Sequence, residues 1–229
     1  MYLLLHKLFY NISPKLIRRI ASSLRRSYLI SNYNKGKRPF NRGETSKAKP
    51  RREQEMFFEK YCIGKGLDIG FGGDLIVPTT DGYDFEHGDA QYMKSIPDNK
   101  YDFVYSSHTL EHMNDAAVAL RNWYRVVKKN GYLILYIPHR DLYEKKKTLP
   151  SFFNEDHKHF FLLNDDEDPD TLGILPLVAR TLCNYEIIYA KECSRGYTVT
   201  EPNVHSDGEY SIEVVIKKNE KSETIGSNN

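Results

Sequence analysis

The sequence has few cysteines and no long apolar segment, and each shortage excludes a class of protein. Its three cysteines, Cys62, Cys183 and Cys193, form no C-x-x-C pair, so we expect reduced structural thiols in a cytoplasmic chain. No apolar run approaches the roughly 20 residues that span a bilayer. The apolar start, residues 1–5, is shorter than the about 7–15 residues of a signal-peptide core. The sequence therefore predicts neither a disulfide-stapled domain nor a membrane span.

Net charge is also small, but it is unevenly distributed. The 229 residues carry a formal net charge of +2. Residues 1–65 contain 16 Lys/Arg and 4 Asp/Glu, a net of +12, whereas the rest contains 17 and 27, a net of −10. This asymmetry predicts a basic appendage beside a mildly acidic domain. The acidic domain argues against a nucleic-acid partner, because that affinity depends largely on neutralising phosphates.

The basic appendage, residues 1–50, contains one predicted amphipathic helix. Ser13-Pro14 is typical of a helix start, and apolar residues then recur at helical spacing among lysines and arginines. Residues 14–28 are expected either to pack on the domain and cover its site or to contact an anionic membrane surface peripherally. Contact with nucleic acid is a further alternative. Residues 31–50 are polar and broken by Gly and Pro, which predicts a linker or flap.

Residues 51–218 predict one α/β domain. Helices are predicted over residues 51–61, 115–128 and 172–183, and strands over residues 82–85, 101–106, 132–137, 185–190 and 210–217, after a first strand that ends at Ile69. Alternating strands and helices indicate a parallel sheet with helices on both faces. The helix after the first strand is expected to be missing or vestigial. Residues 139–170 form a polar insertion expected to carry function or to be disordered, and the tail 219–229 is expected to be disordered.

The central motif is L-D-I-G-F-G, residues 67–72. It predicts a short buried strand that runs into a glycine turn. Such turns at the carboxyl ends of parallel strands bind nucleotide-like ligands, although a purely structural turn has the same pattern. Asp68 lies inside the strand, where a turn that faces anionic phosphates usually has an apolar residue. The motif therefore favours a ligand other than a phosphate.

This motif resembles motif I of the class I S-adenosylmethionine-dependent methyltransferases. Asp84 and the segment 88–90 (GDA) resemble the second and third cofactor motifs of that family. Residues 102–108 (DFVYSSH) resemble its fourth strand, and residues 125–133 (RVVKKNGYL) its turn and fifth strand. Together they cover roughly residues 60–140 in the order of the family. The type-11 group is the most similar in character.

The resemblance implies a fold, a cofactor and the residues that hold it. The fold is a Rossmann-like, mostly parallel seven-stranded sheet with helices on both faces and an antiparallel last strand. The cofactor is S-adenosyl-L-methionine. The implied cofactor-binding residues are Asp68, Gly70, Phe71, Gly72, Asp84, Asp89, Ala90 and Ser106. Asp84 would accept hydrogen bonds from the ribose diol, and Asp89 from the adenine amino group.

Three histidines are candidates for acid–base work. Methyl transfer to a hydroxyl needs a proton acceptor, and the ordinary pKa of histidine, about 6.5, suits this role. His108 follows the fourth strand, His139 follows the fifth, and His157 lies in the insertion. Active sites of open sheets lie at the carboxyl ends of strands. We expect His139 or His157 to be the base and His108 to position the acceptor.

Other interpretations remain open at this point. Residues 108–112 also match H-x-x-E-H, a reversed zinc-peptidase signature, but they follow a strand instead of lying in a long helix. We expect no metal, although a metal-assisted methyltransferase is an alternative. The polar acceptor side favours the hydroxyl of a sugar, a glycan precursor or another polar metabolite. A non-catalytic binding protein with the same fold, or a nucleic-acid methyltransferase, is the alternative function.

Overall fold

The computed structural model describes residues 43–220, and its main element is a six-stranded sheet. The order of the strands is β2-β1-β3-β4-β8-β7, and β5 and β6 form a separate pair. The strands are β1 Gly66–Ile69, β2 Asp81–Tyr83, β3 Tyr101–Ser107, β4 Val127–Pro138, β5 Phe160–Leu162, β6 Thr171–Gly173, β7 Tyr185–Cys193 and β8 Ser211–Lys218. The α-helices are α1 Glu44–Gln54, α2 Phe57–Tyr61, α3 Ala116–Val126 and α4 Ile174–Thr181. The predicted helix 14–28, linker residues 31–42 and tail residues 221–229 lie outside the described residues.

The predicted fold class is confirmed, with one strand fewer than expected. Strands β2, β1, β3 and β4 are mutually parallel, and β8 lies antiparallel between β4 and β7. Residues 84–100 contain only turns and the short 3₁₀ helix Phe85–His87. A parallel crossover needs about a dozen residues or more for its connection alone. The prediction of seven strands is therefore wrong, because this segment has no room for a further strand and its helix.

Helices cover both faces of the sheet because the central strands alternate apolar side chains between two cores. One core joins Val104 and Leu133 to α3 and α4. The other joins Tyr105 and Ile134 to α1 and α2. Within α3, the apolar residues Ala116, Ala119, Leu120, Trp123 and Val126 are all buried. As expected, residues 70–80, between β1 and β2, contain no helix.

The N-terminal boundary of the domain differs from the prediction. Helix α1 begins at Glu44 and contains Pro50, so residues 44–50 are helical and the linker prediction is wrong there. The single helix predicted over 51–61 is two helices, because Met56 takes a left-handed conformation at φ 52° between them. The sequence of α1 is polar and contains a proline, so it does not show the apolar periodicity that predicts a helix. Contacts with the sheet stabilise it instead.

The polar insertion is ordered and largely packed onto the domain. It contains the π-helix Arg140–Glu144 and strand β5, which pairs with β6. The helix predicted over 172–183 begins only at Ile174, since residues 171–173 form β6. Pro176 lies in the first turn of α4, where no helical donor is lost. None of the helices between residues 43 and 220 combines the length and apolar character needed to cross a bilayer.

Candidate functional site

The glycine turn and the loop after β2 lie at one edge of the sheet. Ile69 pairs with Tyr83 of β2 and with Ser106 of β3. Gly70 and Asp84, the next residues along β1 and β2, are therefore level with the carboxyl end of β3. Asp84 is half-buried, and its Oδ1 accepts a hydrogen bond from the Phe85 amide at 2.8 Å. This edge is where open α/β sheets bind their ligands.

The turn itself needs glycine at Gly70. Its φ is +71°, and a Cβ there would lie 2.0 Å from the Thr109 Oγ1 atom. Thr109 Oγ1 donates a hydrogen bond to the Ile69 carbonyl at 3.2 Å, so the turn and the segment after β3 are packed together. Phe71, the next residue of the turn, is buried and its ring packs against Gly82 of β2.

We expect Gly70→Ala to lower the free energy of unfolding by about 2–4 kcal/mol, because it adds a positive-φ penalty to a clash. Gly72→Ala is the matched control. Gly72 also has a positive φ, +53°, but a Cβ there meets nothing closer than 3.9 Å. Gly72→Ala should lower the free energy of unfolding by only about 1–2 kcal/mol. Urea unfolding measures both. Equal losses would show that the Thr109 contact has no energetic consequence.

Asp68 is a fully buried carboxylate in β1. Its Oδ2 accepts a hydrogen bond from the Ile76 amide at 2.7 Å. Its Oδ1 has no hydrogen-bond partner among the described residues. Burial raises the pKa of Asp68 well above its ordinary value. An orphaned carboxylate oxygen beside a turn that only glycine fits suits a ligand that brings a cationic donor, and S-adenosylmethionine carries such a group.

The remaining predicted cofactor residues lie around the same edge. Asp89 is exposed, and its Oδ1 accepts from the Gln91 amide at 2.8 Å. The Ala90 carbonyl accepts from Trp123 Nε1 at 2.8 Å, which fixes the loop on α3. Ser106 is buried and donates to the Ile69 carbonyl at 3.3 Å, joining the ends of β1 and β3. The arrangement fits the cofactor, and the individual contacts stay predictions.

Three histidines, of which His157 is buried and His108 and His112 are partly exposed, surround the buried Glu111 directly after β3. His108 Nδ1, His112 Nε2 and His157 Nε2 lie 3.9, 3.8 and 3.9 Å from Glu111 Oε1. Glu111 is 0% exposed. Residues 110–112 form a single 3₁₀ turn, so the zinc-peptidase alternative lacks the long helix that it needs. The cluster adjoins the glycine turn through Thr109.

The insertion delivers His157 to this cluster. The Glu111 carbonyl accepts hydrogen bonds from the amides of Lys158 and His159 at 2.7 and 3.3 Å. Glu144, from the π-helix, holds His157 Nδ1 at 2.5 Å. Ser151 Oγ donates to the other Glu144 oxygen at 2.5 Å. With Nδ1 as the donor to Glu144, the lone pair of His157 lies on Nε2, the nitrogen that faces Glu111.

His139 lies apart from this cluster. Its Nδ1 accepts from the Asp141 amide at 3.1 Å, so the ring proton lies on Nε2. That nitrogen is 3.1 Å from a Glu192 carboxylate oxygen. Both ring nitrogens are therefore engaged. Of the three predicted histidines, the structure brings together His108 and His157 but not His139.

Burial controls the protonation of the cluster. It raises the pKa of Glu111 to about 7, although the electrostatic effect of the neighbouring His157 opposes this shift. It lowers the pKa values of His108 and His112 to about 4. These two rings are therefore neutral near pH 7. The cluster is a water-poor site that can hold a proton or a cation at Glu111.

Glu111, His112 and Glu144 were not predicted from the sequence as site residues. The first two were visible in the H-x-x-E-H spacing. Glu144 gave no signal, because its position depends on the π-helix. Tyr143, from the same helix, stacks on the His157 ring with centroids 5.6 Å apart, and it was not predicted either.

Comparison with known proteins finds a family model that matches part of this chain. Residues 67–135 match the family model described as a methyltransferase domain. No curated protein matches the chain.

Three solved structures with a similar fold are S-adenosylmethionine-dependent methyltransferases. The one from Archaeoglobus fulgidus is 19% identical, covers 77% of this chain and 96% of its own, and has a TM-score of 0.48. The one from Methanosarcina mazei is 18% identical, with coverages of 69% and 93% and a TM-score of 0.43. The one from Mesorhizobium loti is 12% identical, with coverages of 67% and 90% and a TM-score of 0.43. Similarity this low carries no argument about a substrate.

Proposed function

Because residues 67–135 match the model of a methyltransferase domain, we propose that this chain is an S-adenosylmethionine-dependent methyltransferase that methylates a hydroxyl of a sugar, a glycan precursor or another polar small molecule. One observation supports a hydroxyl as the methyl acceptor. Next to Thr109, which packs on the glycine turn, lies a His–Glu cluster in which Glu144 orients His157 Nε2. A hydroxyl acceptor needs such a proton acceptor, whereas an unprotonated amine does not.

The roles of the residues follow from their positions. Asp68, Gly70, Phe71, Gly72, Asp84, Asp89, Ala90 and Ser106 would hold the cofactor. S-adenosylmethionine supplies a methyl carbon that its sulfonium already activates. The chain then has to align the acceptor, a proximity effect of roughly 7–11 kcal/mol, and to remove the hydroxyl proton. His157 Nε2 takes that proton, because its lone pair is free and Glu144 stabilises the imidazolium that forms.

His108 positions the acceptor. It takes a left-handed backbone conformation, φ 46°, directly after β3, and its Nε2 is 2.8 Å from the Ser211 hydroxyl. The ring is thus fixed between β8 and Glu111. The basic helix over residues 14–28 stays a prediction, as does its contact with a membrane surface where glycan precursors are assembled.

The test is methyl transfer from labelled cofactor to a panel of sugar nucleotides, glycans, phenols and amines. We expect labelled product only with polar hydroxyl acceptors. His157→Asn should lower turnover by roughly 10²-fold or more, with affinity for S-adenosylhomocysteine unchanged within about twofold. His139→Asn tests the competing prediction and should lower turnover much less.

Three outcomes would contradict this proposal. Transfer only to amines or apolar phenols would remove the acceptor class and leave the methyltransferase assignment standing. A larger loss in His139→Asn than in His157→Asn would move the base to His139. Tight, salt-sensitive retention of tRNA in a filter assay would favour a nucleic-acid acceptor instead.

A further inference from the structure

One carboxylate and two imidazoles face one another across a narrow gap after β3. The ligand atoms of Glu111, His112 and His157 all lie within 4.8 Å of one another. The histidine nitrogens are 3.8 and 3.9 Å from Glu111 Oε1, which is too long for hydrogen bonds. Donor atoms that share a metal ion have such separations, because two bonds of about 2.0–2.2 Å hold their donors roughly 3–4 Å apart.

No hydrogen bond from the described residues offsets the burial of the Glu111 carboxylate. Its side chain is 0% exposed, and neither carboxylate oxygen has a hydrogen-bond partner among residues 43–220. A buried carboxylate is costly unless hydrogen bonds or a cation compensate it. Both orphaned oxygens belong to the residue on which the neighbouring histidines converge. The missing partner is therefore expected at this point.

The surroundings of His157 match those of a metal-bound histidine. Such a histidine usually donates its other N–H to a carboxylate, which fixes the tautomer and the ring. Here Nδ1 meets Glu144 at 2.5 Å, and Ser151 donates to the second Glu144 oxygen. The Nε2 lone pair is left facing Glu111.

We propose that Glu111, His112 and His157 bind one divalent transition-metal ion of the zinc class. Two imidazoles and one carboxylate form a ligand set of such ions, and three protein ligands leave a position open for another molecule. His108 Nδ1, 3.9 Å from Glu111 Oε1, borders that position. The side chain of His112 is 28% exposed and provides the entry side. This proposal departs from the sequence-based expectation that no metal is bound.

The inference goes beyond the proposed function, because it holds whichever acceptor is methylated. With an ion bound, His157 Nε2 would be a ligand and not the base; the ion would make an acceptor hydroxyl in the open position more acidic, and the proton would pass to solvent water. In the ion-free chain, Nε2 takes the proton directly. Metal content therefore distinguishes two routes for the same proton removal, and it is measured without cofactor or acceptor.

The test uses the full-length chain stripped with a chelator. Zn²⁺ is titrated against a chromophoric competitor, and Co²⁺ is added separately to follow its visible d–d absorption. We expect one equivalent of each ion and a rise in the thermal midpoint with Zn²⁺. Glu111→Gln and His157→Asn should weaken Zn²⁺ binding by at least about 100-fold. Glu144→Gln, which retains all three ligands, should weaken it by about 10–100-fold.

His139→Asn is the control, because His139 also faces a carboxylate, that of Glu192, outside the cluster. It should retain one equivalent of Zn²⁺ at wild-type affinity. The proposal is overturned if the stripped, folded chain binds no stoichiometric ion, or if binding survives Glu111→Gln and His157→Asn. If either ligand variant fails to fold, the stoichiometry of Zn²⁺ binding by the wild type and the affinity of Glu144→Gln still test the proposal. A stripped, folded chain that binds no stoichiometric ion but still transfers methyl groups would reject this inference and leave the proposed function intact.

Discussion

Glu213→Ala is expected to lower the free energy of unfolding by about 3–5 kcal/mol, which is typical of removing one partner from a buried ion pair. Glu213 lies on β8 and is 0% exposed. Its Oε1 accepts from Arg52 Nε at 2.7 Å, and its Oε2 from Arg51 Nη1 at 2.8 Å. Arg52 is itself fully buried beside the rings of Phe57 and Tyr136. Without Glu213, Arg52 would be left as a buried charge with no partner carboxylate at this point.

Urea unfolding with circular dichroism measures the loss. Glu186→Ala is the matched control, since Glu186 lies on the neighbouring strand β7 and is exposed. Its effect should stay within about 0.5 kcal/mol. A loss below about 1 kcal/mol for Glu213→Ala would mean that α1 is held by other contacts.

The same group gives the stability a dependence on pH. Burial alone would raise the pKa of Glu213, but the charges of Arg52 and Arg51 outweigh it and lower the pKa to about 2. The folded pKa is thus below the ordinary value of 4.5. The stabilisation is present above pH 4.5 and is lost as the pH falls towards 2. The Glu213→Gln variant should lose this part of the acid dependence.

The parts of the fold that sequence predicted well are those with local signals. Helix α3 has a capping residue, Asp115, whose side chain accepts from the Val118 amide, and an apolar stripe that faces the core. The glycine turn after β1 was predicted because Gly70 is needed for its positive φ. Asn130, a residue type that tolerates the left-handed conformation, adopts φ 63°. In each case the residue type alone constrains the backbone.

The parts that sequence missed depend on contacts between distant residues. Helix α1 has weak local preference, and buried pairs with residues about 160 positions away hold it on the sheet. The cluster around Glu111 likewise forms only because the insertion brings back His157 and Glu144. The sequence supplied the histidines as candidates. It could not show that Asp141 and Glu192 would contact both ring nitrogens of His139. Nor could it show that His157 Nε2 would have no hydrogen-bond partner among the described residues.

Replacing Asp68 by asparagine is expected to weaken binding of S-adenosylhomocysteine by about 100-fold, while the chain stays folded. Asparagine has the shape of aspartate, and its side-chain oxygen can still accept from the Ile76 amide, which Asp68 Oδ2 now does at 2.7 Å. The fold should therefore change little. The variant cannot ionise beside the ammonium group of the ligand, however, and the buried charge partner that Asp68 would provide there is lost. Truncating one member of a buried charge pair costs about 2–5 kcal/mol of binding, and about 2.7 kcal/mol corresponds to 100-fold.

Isothermal calorimetry measures the affinity, and Asp81→Asn provides the matched control. Asp81 begins β2, at the opposite end of that strand from Asp84, and its side chain is 52% exposed. Its replacement should leave the affinity within about twofold, because surface charges at this distance from the glycine turn are screened by solvent. If Asp68→Asn binds as tightly as the wild type, the orphaned Oδ1 atom is not the partner of the cofactor. The role of Asp68 would then be limited to holding Ile76 and the turn.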